Sequence, residues 1–171
     1  MVLRIRIPLL ARVVAFQHPL DPIPRTAILA RGFRESRSIR AFPGGWSEEA
    51  ARFAPAAIAA PARELHRLRA SGIKPSHAVI ALTYDGGRGL MAEDRELFWQ
   101  AFGVPVFEQY LSARNALLAA ECEAHAGLHV VSGCQGFKLE HTPCACGNPA
   151  PRLLRTVPVA VPAPAHRTAV A

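Results

Sequence analysis

Residues 78–107 read AVIALTYDGGRGLMAEDRELFWQAFGVPVF, and this stretch decides the fold class. Ala78 to Thr83 is an unbroken apolar run between Pro75 and the Asp85-Gly86-Gly87 turn, the pattern of a strand covered on both faces. Ala92 to Phe102 puts Leu97, Phe98, Ala101 and Phe102 on one helical face, with Glu93 and Asp94 in the first turn and Gly103 after the last. Acids suit the positive end of a helix and glycine its exit, so an amphipathic helix is expected. Val104 to Phe107 follows at once as a short strand. Strand, helix and strand in thirty residues form a parallel βαβ unit, which makes the middle of the chain α/β.

Upstream, Ser47 is a good N-cap and Glu48 and Glu49 suit a first turn. Pro55 and Pro61 interrupt the pattern running to Leu65 and Leu68, so a short helix is expected near 47–53 and a stronger one over 61–70, closed by Gly72. Pro19 to Gly45 holds four prolines and three glycines without either period and reads as irregular. At the very start Leu3, Ile5 and Ile7 alternate with Arg4 and Arg6, as in an amphipathic edge strand. Pro8 and Arg12 break the apolar run that a secretory signal would need, and no stretch is long enough to span a bilayer, so a cytoplasmic location is expected.

Downstream, Leu117 to Cys122 is apolar and extended or a helix end, Gly127 is a turn, and Leu128 to Val131 is another short strand. From Pro149 the spaced prolines forbid helix. The expected organisation is therefore a basic, largely irregular segment over 1–46, an α/β domain over 47–150 and a Pro/Ala-rich disordered tail over 151–171. Within the domain we expect a small parallel or mixed sheet with flanking helices and a β-rich C-terminal lobe stapled by zinc.

The formal charge of +7 is unevenly spread. Residues 1–74 carry thirteen Lys and Arg against five acids, whereas 75–150 carry four against eight. A basic third can serve RNA, an anionic surface or an acidic partner. It lacks the tight Lys/Arg runs and interleaved aromatics that stack bases, so a solvated basic surface is the preferred reading over nucleic-acid binding.

All four cysteines and three of the seven histidines fall in ECEAHAGLHVVSGCQGFKLEHTPCACG, residues 121–147. In a reducing compartment such a cluster points to metal rather than disulfides, and zinc suits mixed thiolate and imidazole ligands. The competing reading takes the cysteines as small buried apolar side chains and the histidines as surface residues. Cys144 and Cys146, one residue apart in an extended segment, present both sulfurs to one side, with Gly147 letting the backbone turn away. The other ligands come from Cys122, His125, His129, Cys134 and His141, and spacing leaves that choice open. A nucleophilic Cys122 beside His125 is disfavoured because Glu121 and Glu123 flank it and would raise its thiol pKa.

The stretch FGVPVFEQYLSARNALLAAECEAHAGLHV, residues 102–130, resembles the phenylacetate-coenzyme A ligase branch of the adenylate-forming enzymes, in which FGxPVxxxYG leads to a Glu motif, an EC segment and GLH. TPCACGNPAPRL, residues 142–153, is similar to that family's C-x-CGR-x-x-PR element. The resemblance implies a structural zinc held by the EC cysteine, the GLH histidine and the C-x-C pair, which are Cys122, His129, Cys144 and Cys146 here. It also marks departures. Ala113 and Arg114 stand where the ligases carry a Gly and a Glu that contact nucleotide and magnesium, and no hydroxyl-rich phosphate loop with a lysine precedes them. The expectation is a non-catalytic zinc-binding protein derived from one ligase subdomain that acts by binding a protein partner or by self-association. The alternatives are a residual acyl-adenylate or CoA-ester chemistry completed by a partner chain, and nucleic-acid binding through the basic N-terminal third.

Overall fold

A computed structural model describes residues 13–134 and 137–154. Its framework is one nine-stranded sheet ordered β2-β1-β3-β4-β5-β6-β7-β9-β8. The strands are β1 (Thr26–Ile28), β2 (Ile39–Ala41), β3 (Ala57–Pro61), β4 (Ala78–Tyr84), β5 (Val106–Leu111), β6 (Leu117–Glu121), β7 (Leu128–Val130), β8 (Leu139–Glu140) and β9 (Arg152–Leu153). The five strands from β2 to β5 are all parallel. From β5 onward every pairing is antiparallel, so the sheet is mixed and larger than the small one expected.

The βαβ unit forms as its sequence dictates. In β4 every residue from Ala78 to Thr83 is buried, and Val79 lies opposite Val106 of β5 in parallel register. Between them α3 (Ala92–Phe102) is entered by the Asp94 carboxylate, which accepts the Met91 N–H at 3.3 Å. It leaves through Gly103 at φ 69°, where a side chain would be strained, with the Gly103 N–H donating to the Trp99 carbonyl. Phe98 and Phe102, one turn apart, face the sheet; Leu97, expected on the same face, is 37% exposed. The buried stripe is thus narrower than the apolar pattern suggested.

Upstream, Ser47 caps α1 (Glu48–Arg52) by accepting the Ala50 N–H at 3.2 Å. The second helix, α2 (Ala62–Leu68), ends in a single tight turn and then Gly72 at φ 73°. Between these two helices lies β3, a strand the sequence reading did not contain. Its Ala57-Ile58-Ala59-Ala60 run is fully buried and central to the parallel half.

Both faces of the parallel half are covered. On one, Ile58, Ala60, Val79, Ala81 and Val106 meet Leu65, Leu68, Phe98 and Phe102 from the helices. On the other, Ile28, Ala59, Ile80, Leu82 and Phe107 meet Phe16 and Phe33. The proposed boundary at residue 47 is therefore corrected, because β1 and β2 are sheet strands and Phe16 and Phe33 belong to the core. Three-residue strands are too short to show a period, which is why the segment read as irregular. The C-terminal boundary shifts as well. Arg152 and Leu153, assigned to the tail, form β9 between β7 and β8. The edge strand expected at residues 3–7 and the tail beyond residue 154 lie outside the described residues. Among the described residues no helix is long and apolar enough to cross a membrane.

Candidate metal centre

Three segments of the antiparallel half converge on one point. Cys122 follows the last residue of β6, at the start of the turn that leads to β7. His129 is the middle residue of β7, opposite Ala120 on one side and Arg152 on the other, and is buried. Cys144 and Cys146 come from the loop between β8 and β9. One ligand atom from each of Cys122, His129, Cys144 and Cys146 lies within 4.8 Å of all the others, a set that can hold a metal ion.

Local chemistry sets up each ligand. The His129 Nδ1 is 2.9 Å from the Ala150 carbonyl, which places the proton there and leaves Nε2 as the free lone pair. That Nε2 lies 3.4 Å from Cys146 Sγ, and Cys122 Sγ lies 3.7 Å from Cys144 Sγ. Zinc with bonds of about 2.3 Å to sulfur and about 2.0 Å to nitrogen separates tetrahedral ligands by roughly 3.5–3.8 Å. These two pairs already stand at that spacing, so the residues fit the metal.

The C-x-C segment is a turn rather than the extended piece expected. Gly147 at φ 76° closes it by donating to the Cys144 carbonyl at 3.0 Å. Backbone N–H groups thereby face sulfur: the Asn148 N–H lies 3.4 Å from Cys146 Sγ. The Cys146 N–H, with His129 next in weight, pulls the Cys144 thiol down to about 6. Cys122 moves the other way. Burial raises its thiol above the ordinary value; the Ala124 backbone opposes this, and the neighbouring Cys146 and Cys144 add smaller upward contributions. The direction is the one expected, but flanking carboxylates are not the cause. Glu121 turns away from Cys122 to Arg95, 3.0 Å distant.

The remaining candidates lie outside the set. Cys134 Sγ is 3.4 Å from the Leu118 and Ser132 carbonyls, and His141 is exposed. His125 has its Nδ1 3.3 Å from Glu121 Oε1 and its ring 4.9 Å from that of Phe107. A cluster that the sequence did not reveal therefore borders the centre. Glu121, buried, accepts the Glu108 N–H at 2.9 Å and pairs with Arg95, which also donates to the Val106 carbonyl at 2.5 Å. Strand pairing and the packing of α3 on the sheet bring these groups together, so no spacing in the chain announces them. Arg95, Trp99, Val106 and His125 also line an open groove of about 450 Å³.

The turn over 112–116 is closed on itself, since Ser112 Oγ accepts the N–H groups of Arg114 and Ala116. No protein-family model matches the chain, and a search of curated proteins finds no match.

Proposed function

We propose that this chain is a non-catalytic zinc protein in which a structural zinc bound by Cys122, His129, Cys144 and Cys146 holds the C-terminal lobe together. The observation that carries the reading is the closed set of four protein ligand atoms within 4.8 Å. Three sulfurs and one nitrogen satisfy a tetrahedral zinc and leave no position for a substrate or an activated water, which is how structural sites differ from catalytic ones. The elements it joins are short: β7 has three residues, and β8 and β9 two each. So little buried area cannot by itself offset the entropy of ordering the loops between them, and metal binding becomes folding free energy.

The motifs around Cys122 and Cys146 support descent from one subdomain of the phenylacetate-coenzyme A ligase branch, and we place the protein in the cytoplasm. Where those ligases present a Gly and a Glu to nucleotide and magnesium, this chain has Ala113 and Arg114 in a self-bonded turn, which argues against adenylation. The protein acts by binding a protein partner or a second copy of itself. The half-exposed Trp99 lines the groove beside α3, and tryptophan is enriched among the residues that anchor protein interfaces, which supports contact with another molecule there.

Two measurements test this reading. Chelation of the reduced protein should abolish hydrogen-exchange protection over 117–153 while β3, β4 and α3 stay protected; uniform protection after metal removal would refute the staple. Titration with ATP or AMP should show no binding at millimolar concentration, and saturable binding would favour residual ligase chemistry instead.

A further inference from the structure

The three sulfurs of the metal set are not equivalent. Cys122 Sγ and Cys144 Sγ, on segments 22 residues apart, are 3.7 Å from each other. Cys146, the exposed one, sits against His129 Nε2 and the Asn148 N–H. The fourth cysteine, Cys134, stays on its two carbonyls. Cys122 is half-buried and Cys144 buried, so a small oxidant reaches the pair from the Cys122 side.

We propose that this centre is an oxidation site at which Cys122 and Cys144 form a disulfide, expelling the zinc and replacing it as the cross-link between the β6–β7 turn and the loop before β9. The proposal rests on the zinc reading above. Hydrogen peroxide is the oxidant. Metal coordination would keep Cys122 deprotonated although burial raises its free thiol; the thiolate attacks one peroxide oxygen, the O–O bond breaks, and a sulfenic acid and hydroxide result. The Cys144 thiolate then attacks the Cys122 sulfur, the S–O bond breaks, and a second hydroxide leaves. Two thiolates have lost two electrons, peroxide has gained them, and two protons from solvent convert the hydroxides to water. Zinc, left with His129 and Cys146 alone, departs. The two sulfurs, 3.7 Å apart, have under about 2 Å to close to reach a bond of about 2.05 Å. The disulfide joins two of the three segments that the zinc joins, and His129 stays tied through its β7 pairing and the Ala150 carbonyl, so the lobe stays folded when one staple replaces the other.

The test begins with metal content of the reduced, full-length protein, followed by addition of one equivalent of hydrogen peroxide. The expected result is release of the bound zinc to a colorimetric chelator, a Cys122–Cys144 cross-link in peptide mapping, and retained hydrogen-exchange protection over 117–153. Protein that is chelated but kept reduced should lose that protection. The Cys134→Ser variant should behave as the parent does. A link through Cys134 or Cys146, sulfinic acid without a disulfide, or unfolding of the lobe on oxidation would overturn the exchange and leave the zinc reading intact. Absence of zinc from the reduced protein would instead overturn the reading beneath it and the exchange with it.

Discussion

Replacing Arg95 by alanine should cost this protein about 3 kcal/mol of stability, because it strips a buried carboxylate of its cation. Arg95 projects from α3 to Glu121 at the end of β6, with Nη1 3.0 Å from Glu121 Oε2, and so ties the helical layer to the strand that delivers Cys122. At an effective dielectric of about 20, unit charges at that distance attract by roughly 5 kcal/mol. The Arg95 side chain is a third exposed, so water screens part of this, and a figure near the lower end of the usual 3–5 kcal/mol for breaking a buried pair is expected. Urea unfolding at pH 7 with zinc present reads the change as a lower midpoint at constant slope. A cycle with Glu121→Gln isolates the cause. Glutamine keeps an oxygen for the Glu108 N–H but carries no charge, so in the Glu121→Gln background Arg95→Ala should cost only about 1 kcal/mol. A loss under about 1 kcal/mol in the parent background, or additive losses in the double variant, would refute the reasoning.

Phe98→Ala empties a fully buried site against His66 and Phe102 and should cost about 3–5 kcal/mol in the same assay. Zinc affinity, followed by competition with a chelator, should weaken steeply as pH falls, because the three thiols of the set must each shed a proton on binding; an affinity independent of pH would contradict thiolate ligation.

The βαβ unit was legible because its three signals are strong and adjacent: a long apolar run, acids before an amphipathic stretch, and a glycine exit. What escaped had physical reasons. Ala57-Ile58-Ala59-Ala60 carries little strand propensity and stands between prolines, so it passed for interrupted helix; parallel neighbours on both sides make it a strand. Thr26-Ala27-Ile28 and Ile39-Arg40-Ala41 are too short for a two-residue alternation to repeat, and only the tertiary fold shows that Phe16 and Phe33 pack on them. At the metal centre, clustering pointed to seven side chains and the ligase resemblance to four of them. The structure brings those four together. The Ala150 carbonyl that orients His129, and the Arg95 that holds Glu121, depend on strand register and leave no trace in spacing.

The central claim is tested most directly by metal stoichiometry on protein purified under reducing conditions, measured for the parent and for single substitutions side by side. A structural Cys3His centre predicts about one zinc per chain in the parent, in Cys134→Ser and in His141→Ala, and a large loss in Cys122→Ser, His129→Ala, Cys144→Ser and Cys146→Ser. A parent protein without zinc, or full zinc in any of those last four variants, would contradict it.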